Sequence, residues 1–186
     1  QYIIGAIFGA SFALSLYPME SAFIFPLMVL IGIAGGCLWS MIPAILKIRF
    51  NVNEILVSLM LVYVAEQILA LASLGFLRNP DGAGFPGSRN LSQYPSASNS
   101  ELILGTGIHL GVVLSLFMIV FFYILLFRHS LGFKIKLLGS SPKAYSFSGQ
   151  NPNKLILICL TLSGGLAGLA GIMEVAGPAG QINIDF

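Results

Sequence analysis

Few side chains in this chain of 186 residues have the chemistry of an active site, and most of those stand alone in apolar sequence. The exceptions are Glu66 and Gln67, which fall together near the middle of a long hydrocarbon run. An ionisable group at that depth in a bilayer is expensive and by default indicates a functional site. The alternative is a carboxyl group that is protonated or paired with a neighbouring helix, and the sequence favours neither interpretation.

The other reactive side chains form no catalytic or metal-binding pattern. Cys37 and Cys159 each lie within an apolar run, where we expect them to pack as small hydrophobic residues. His109 and His129 are isolated near the ends of such runs. No His, Cys, Asp or Glu cluster has ligand spacing, and the phosphate-binding pattern G-x-x-x-x-G-K-[ST] does not occur. We therefore expect no metal site, no cofactor and no enzymatic activity in this chain.

Composition places these residues in a membrane. Hydrophobic residues make up 56% of the chain and charged residues 9%, against about 25% charged residues in a typical soluble domain. The prediction is an all-α, polytopic bundle of transmembrane helices surrounded by the lipid bilayer. The net charge of +2 is too small to indicate a nucleic-acid partner. Because the chain starts without Met and ends abruptly, we expect a part of a longer protein.

The helices that must position Glu66 can be read from apolar runs of about 20 residues, the length that crosses a bilayer. We predict one transmembrane domain over 1–186, with spans at 2–17, 21–46, 54–77, 102–127 and 154–175. Of the nine Lys and Arg residues, Arg78 and Arg89 fall on one side and the other seven on the opposite side. By the positive-inside rule, 128–153 is then a cytoplasmic loop and 78–101 an extracytoplasmic loop.

Small residues recur at four-residue spacing in two of the predicted spans. Gly32 and Gly36 form one such pair, Gly164 and Gly168 form another, and Gly171 ends a second small-residue row beside the latter. Faces of this kind let helix backbones approach closely in lipid. We expect these glycines to pack helices within the chain, in preference to forming a dimerisation site.

The cytoplasmic loop carries the signals of a short helix. Ser141 and Pro142 combine a hydroxyl N-cap with proline at the first helical position, and Gly149 is a natural stop. A helix of one to two turns is marginal in water and gains stability mainly by docking. We therefore predict an element that docks on a cytoplasmic partner. The alternative is a basic loop that sets the topology and contacts anionic lipid head groups.

This loop resembles the cytoplasmic loop of permease subunits of bacterial ABC importers, a group that handles branched-chain amino acids, ribose-type sugars and nucleosides. The usual pattern there is a glycine, then Asn-Pro-x-Ala-Ala, then a second glycine before the next span. The matching positions are Gly139, Pro142, Ala144 and Gly149. Ser141 replaces the usual Asn, and Tyr145 replaces the second Ala.

Two further stretches extend the resemblance over most of the chain. Residues 49–65, RFNVNEILVSLMLVYVA, are similar to the pattern G-x-N-E-V-I-x-T-I-M-L-N-Y-I-A of the nucleoside and simple-sugar branch. Val62 stands where that pattern carries Asn, which leaves a different substrate open. The stretch LSGGLAGLAGIMEVAG resembles the glycine-rich span that follows the loop.

The resemblance implies the transmembrane permease subunit of an ATP-driven importer for a nucleoside or simple sugar, in the bacterial cytoplasmic membrane. It implies three partners: a cytoplasmic ABC ATPase that holds ATP and Mg²⁺, a second permease subunit and an extracytoplasmic solute-binding protein. The residues it assigns to ATPase coupling are Gly139, Ser141, Pro142, Lys143, Ala144, Tyr145 and Gly149. The candidates for the translocation path are Glu66, Gln67, Tyr63 and Val62.

A secondary transporter driven by an ion gradient is the competing hypothesis, with Glu66 as the ion or proton site. Such a transporter needs no docking helix, and its activity should depend on Glu66. A membrane-embedded enzyme is a third hypothesis, but it requires a polar cluster facing one cavity, and the sequence offers none that is convincing.

Overall fold

The computed structural model describes residues 1–80, 82, 87–99, 101–103, 106–183 and 186, apart from the side chains of Ile103 and Ala144. Its helices are α1 (Tyr2–Ser15), α2 (Ile24–Phe50), α3 (Glu54–Leu74), α4 (Leu110–Phe127), α5 (Ser130–Ser140), α6 (Pro142–Phe147) and α7 (Pro152–Ala176). The connection between α3 and α4 holds a short 3₁₀ turn, Leu91–Gln93, and two antiparallel strands, β1 (Glu101–Ile103) and β2 (Ile108–His109). The predicted extracytoplasmic loop 78–101 lies partly outside the described residues, at 81, 83–86 and 100.

The architecture is the predicted helical membrane bundle. Among the described residues, four helices are long and apolar enough to cross a membrane, namely α2, α3, α4 and α7. The first predicted span, 2–17, is instead the 14-residue helix α1. At about 1.5 Å per residue α1 is roughly 21 Å long, shorter than the roughly 30 Å hydrocarbon core. It ends one residue before the Tyr17-Pro18 turn, because proline cannot continue the helical hydrogen bonding.

Other helix ends differ from the predicted ones where backbone chemistry overrides apolar content. α2 begins at Ile24 and continues through Lys47 and Arg49, since lysine and arginine both favour helix. It ends at Phe50, because the next residue, Asn51, takes a left-handed conformation with φ of 52°. α3 ends before Gly75 and not at 77. α7 begins at Pro152, because the Asn151 side chain caps its first turn.

The prediction of a span from 102 is wrong, since α4 begins only at Leu110. Leu102, Ile103 and Ile108 before it belong to the strand pair, in which Glu101 lies opposite His109. Gly107, between the strands, has a φ of 68°, a left-handed conformation that glycine adopts without steric cost. Hydropathy alone cannot separate these strands from the helix that follows.

Three helices, α1, α2 and α7, pack closely through glycine and form the central unit of the protein. A Cβ atom placed on Gly36 would lie 2.2 Å from the carbonyl oxygen of Gly164, where two backbones touch. A Cβ atom on Gly171 would lie 2.2 Å from the Tyr2 carbonyl oxygen of α1. All the glycines predicted for helix packing lie at contacts of this kind: Gly32, Gly36, Gly164, Gly168 and Gly171.

A layer that we call the outer cap, residues 87–99 and 177–183, closes the end of this unit that the sequence predicts to be extracytoplasmic. Its two segments are tied by the backbone: the Ser88 N–H donates to the Ile182 carbonyl oxygen at 2.9 Å, and the Ile182 N–H donates to the Ser88 hydroxyl oxygen at 2.9 Å. The Asn99 N–H donates to the last residue of α7, at the Ala176 carbonyl oxygen. The cap therefore holds the outer end of α7 in place.

Tyr94 fixes the outer cap to the end of α1. Its side chain is buried, and its hydroxyl group reaches the carbonyl oxygens of Leu16, at 3.3 Å, and Met19. The Tyr17 ring meets it edge to face, with the centroids 5.3 Å apart. These contacts order the turn between α1 and α2.

Candidate functional site

The segment between α4 and α7, which the sequence predicts to be cytoplasmic, contains two helices, of which the sequence predicted one. α5 begins where the His129 imidazole Nδ1 accepts the Leu131 N–H at 3.2 Å, so this histidine is an N-cap. The Lys136 ammonium group lies 4.1 Å from the centre of the Phe127 ring at the end of α4. Such a cation–π contact stabilises α5 against α4. α5 therefore sets the position from which the next helix starts.

α6 occupies the place of the predicted short helix, directly after Ser141. Side-chain hydroxyls satisfy two of its carbonyl groups: Ser146 donates to the Pro142 carbonyl oxygen at 3.0 Å, and Ser148 donates to that of Tyr145 at 2.7 Å. Gly149 ends the segment with a φ of 74°. A helix of this length depends on such local hydrogen bonds and on docking.

The two aromatic residues of α6 point in different directions. Tyr145 is 2% exposed, whereas Phe147 is 91% exposed. Residues two apart on a helix are separated by about 200° around its axis, which accounts for the difference. α6 is thus anchored on one side by the buried Tyr145 side chain, and the Phe147 side chain is exposed on the other. Lys143 and Pro142 are exposed as well.

Phe147 was not among the residues predicted from the sequence to couple to a partner. Once a short helix is predicted here, the separation of about 200° from Tyr145 indicates that the two aromatic side chains cannot both face the rest of the chain. Of the predicted coupling residues, Gly139 has no atom within 4 Å of a Cβ built on it, and the same holds for Gly149. The Ala144 side chain lies outside the described part of the structure.

Positive charge surrounds α6. The segment from the end of α4 to the start of α7 contains no Asp or Glu. Its cations are Arg128, Lys134, Lys136, Lys143 and Lys154. The segment that carries the exposed Phe147 ring is therefore basic.

The predicted translocation-path residues lie together on the exposed face of α3. Val62, Tyr63, Glu66 and Gln67 are all exposed. Val62 is four residues before Glu66, and Tyr63 is four residues before Gln67, so these side chains are neighbours on the helix surface. Ala65, Leu69 and Ala72 of the same helix are buried in the hydrophobic core. α3 therefore carries one polar group of side chains on a surface that the described residues leave open.

The start of α3 is bound to the end of α2. Glu54 forms an ion pair with Lys47, with 2.7 Å between the Nζ and Oε2 atoms. The Asn53 side chain accepts the Ile55 N–H at 3.0 Å and caps the helix. These contacts account for Asn53 and Glu54 as structural residues at the junction of α2 and α3.

Comparisons with known proteins identify the family. The family model described as branched-chain amino acid transport system / permease component matches residues 1–186. The chain is 28% identical, over 100% of its length and 50% of the relative's, to the glucose ABC transporter permease protein TsgB13 of Haloferax volcanii. It is 31% identical, over 82% of its length and 43% of the relative's, to the guanosine ABC transporter permease protein NupP of Bacillus subtilis.

A third relative, the nucleoside ABC transporter permease protein NupB of Lactococcus lactis subsp. cremoris, is 26% identical over 93% of the chain and 49% of the relative. The chain thus spans about half the length of the curated relatives it matches. No solved structure gave a significant match. The family match over the whole chain, together with these relatives, confirms the resemblance seen in the sequence. This multi-pass membrane chain belongs to the family of branched-chain amino acid transport system permease components.

Proposed function

We propose that the protein to which this chain belongs is the transmembrane permease subunit of an ATP-driven ABC importer in the cytoplasmic membrane. Its substrate is a small polar solute, either a nucleoside or a simple sugar. The support is the family match over residues 1–186 together with relatives whose names include glucose, guanosine and nucleoside transport. ATP and Mg²⁺ belong to the partner ATPase. A second permease subunit and an extracytoplasmic solute-binding protein complete the assembly.

The observation that carries the coupling role is the contrast between Tyr145 and Phe147 on α6. Tyr145 is buried against the rest of the chain, which fixes the orientation of this helix, while Phe147 is 91% exposed. Buried aromatic anchors dominate the energetics of many protein interfaces. We infer that Phe147 enters a cleft of the ATPase and that Lys143 adds electrostatic attraction at the rim.

The test is capture of the ABC ATPase by the full-length protein, comparing wild type with Phe147→Ala. We expect capture by the variant to fall at least about tenfold, the usual loss for truncating an interface anchor. Phe50→Ala is the matched control, because Phe50 is 65% exposed at the same membrane face but lies at the end of α2. Equal capture by wild type and Phe147→Ala, with unchanged melting temperature, would show that α6 does not bind the ATPase. Gly149→Arg is a poorer test, since the φ of 74° strains any other residue there.

The polar side chains on the exposed face of α3 supply the proposed contact with the solute. Glu66 hydrogen-bonds a sugar hydroxyl or a base in this proposal, so Glu66→Leu should lower uptake about tenfold while Glu66→Gln retains most of it. The measurement is uptake of radiolabelled nucleoside or sugar by vesicles that contain the full-length protein and its ATPase. Equal losses in both variants would indicate an ionised carboxylate, as an ion-gradient-driven transporter requires.

A further inference from the structure

A pocket of about 330 Å³ lies beside the last turn of α7, at the end that the sequence predicts to be extracytoplasmic. Its walls include Tyr2, Glu174, Gln181, Asn183 and Phe186. Small-molecule sites have volumes of about 300 to 1,000 Å³ and combine apolar or aromatic walls with a few polar groups. None of these residues belongs to the proposed ATPase contact or to the polar face of α3.

The polar side chains of this pocket are available to a ligand. Glu174, Gln181 and Asn183 are each partly buried, and within the described part of the chain their side chains form no hydrogen bond and no ion pair. The described residues contain no buried side-chain nitrogen or oxygen atom without a hydrogen-bond partner. The carboxylate and amide atoms of these three residues are therefore accessible from the pocket.

The backbone sets the positions of these side chains. The Glu174 carbonyl oxygen accepts the Ala179 N–H at 3.0 Å, which folds the segment after α7 back over the end of the helix. Asn183 is paired with Gly87 in an isolated antiparallel bridge. A Cβ atom on Gly87 would lie 2.6 Å from the Asn183 Oδ1 atom, so glycine leaves the space that this amide occupies. The pocket is therefore shaped by the folded outer cap.

The charge of the pocket indicates which ligands it accepts. Glu174 is the charged residue among the described residues that line it, and no Lys or Arg is among them. A carboxylate accepts hydrogen bonds, and it repels a phosphate or a second carboxylate. A bound Ca²⁺ ion would require about six to eight oxygen ligands, more than one carboxylate and two amides supply. The pocket therefore favours a neutral ligand that donates hydrogen bonds.

The other walls indicate the groups that such a ligand carries. The Gln181 and Asn183 amides can each donate and accept, as a hydroxyl group also can. The Tyr2 and Phe186 rings stack with their centroids 5.3 Å apart and form an aromatic wall. A sugar ring presents hydroxyl groups at its edge and C–H groups on its faces. This combination matches the polar and the aromatic sides of the pocket.

We propose that this pocket binds a neutral, polyhydroxylated solute, with the Glu174 carboxylate accepting hydrogen bonds from two neighbouring hydroxyl groups. Such a pair of hydroxyl groups occurs both in the ribose of a nucleoside and in a simple sugar. The choice of solute rests on the proposed function, and the pocket adds a second contact apart from Glu66. It also adds a selection rule, since the carboxylate disfavours the phosphorylated form of the same solute.

The experiment is equilibrium dialysis of the full-length protein in nanodiscs with tritiated guanosine or tritiated glucose. We expect Glu174→Leu to weaken binding at least about tenfold, and Glu174→Gln to weaken it less, because the amide keeps an accepting oxygen but loses the charge. Glu20→Leu is the matched control, an exposed glutamate at the same predicted face that does not line the pocket. Guanosine 5′-monophosphate should bind wild type at least about tenfold more weakly than guanosine, and this difference should shrink in Glu174→Gln.

The choice of probe separates the two sources of the hydroxyl groups. Binding of guanosine alone would assign the site to the ribose of a nucleoside, and binding of glucose alone would assign it to a simple sugar. If 2′,3′-dideoxyguanosine binds as tightly as guanosine, the base and not the hydroxyl pair is recognised, and the proposal is wrong. Binding of neither probe, equal affinity of wild type and Glu174→Leu, or the same loss in Glu20→Leu would also overturn it.

ATP-driven uptake by vesicles, measured in parallel, separates this proposal from the proposed function. Uptake that is unchanged in Glu174→Leu would remove the site and leave the importer. Binding that depends on Glu174 without ATP-driven uptake would remove the importer and leave the site. Should Glu174→Leu fold poorly, Gln181→Ala decides, because this partly exposed residue lies after the end of α7, and it should still weaken binding severalfold.

Discussion

The central unit of α1, α2 and α7 and the helix α4 are built from similarly apolar sequence but behave differently. α4 contains no charged residue and has no buried side chain, whereas α7 buries Gly164, Gly165, Gly168 and Gly171 among others. Lipid tails are as apolar as leucine, so hydrophobicity favours insertion of a helix in the membrane but does not determine which other helix it packs against. Close packing instead requires small residues that let backbones meet. The contrast shows that glycine spacing, and not hydropathy, decides which helices form the unit.

The largest effect should come from filling one of the backbone contacts. In Gly36→Leu the new Cβ would lie 2.2 Å from the Gly164 carbonyl oxygen, so α2 and α7 must separate. We expect a loss of about 3 kcal/mol in the free energy of unfolding, or failure to fold, seen as a lower melting temperature in detergent. The matched control is Gly139→Leu in the peripheral helix α5, where a Cβ meets no atom within 4 Å. If both variants melt alike, the distinction between the central unit and the periphery is wrong.

A smaller effect should follow from loosening the cap that covers the central unit. Tyr94→Phe removes the hydroxyl group that reaches the carbonyl oxygens of Leu16 and Met19, and this should destabilise the protein by about 1 kcal/mol. Tyr63→Phe makes the same chemical change on the outward face of α3, where the side chain is 64% exposed. We expect that control to melt within about 0.5 kcal/mol of wild type. Reversal of this order in thermal unfolding would contradict the assignment of Tyr94 as the anchor.

The smallest effect concerns the link between the central unit and α3. Lys47 and Glu54 form an ion pair of 2.7 Å, but their side chains are 31% and 41% exposed. We expect a coupling of about 0.5 kcal/mol in a double-mutant cycle of Lys47→Ala and Glu54→Ala, and a lower value at high salt. A coupling several times larger would mean that α3 is held to the unit as firmly as α7 is. A coupling free energy of about 0.5 kcal/mol would indicate that α3 is a peripheral helix.

The sequence predicted the parts of this fold that follow from composition and small-residue spacing. The apolar runs located α2, α3 and α7 with shifted ends, and the spacing of Gly32 and Gly36 pointed to the contact with α7. It failed where two signals overlap. Residues 130–140 contain both lysine and leucine, so the sequence predicted a polar loop there and the helix α5 was missed.

The site was predicted less completely, for a reason of geometry. The short helix could be predicted from Ser141, Pro142 and Gly149, because helix start and stop signals depend on local backbone chemistry. A single sequence contains that information. Which of its two aromatic residues is exposed depends on how α5 and α7 lie around it, and that is tertiary information.

The backbone contact between Gly36 and Gly164 also limits how the protein can move. Helices that pack through long side chains slide past one another by exchanging rotamers, which permits shear. Here the two backbones meet at Gly36 and Gly164, so a larger residue brought to position 36 would place a Cβ atom against the Gly164 carbonyl group. α2 and α7 must therefore travel as one rigid body. Any change of shape in this chain is then a hinge motion of that body against α3 and α4.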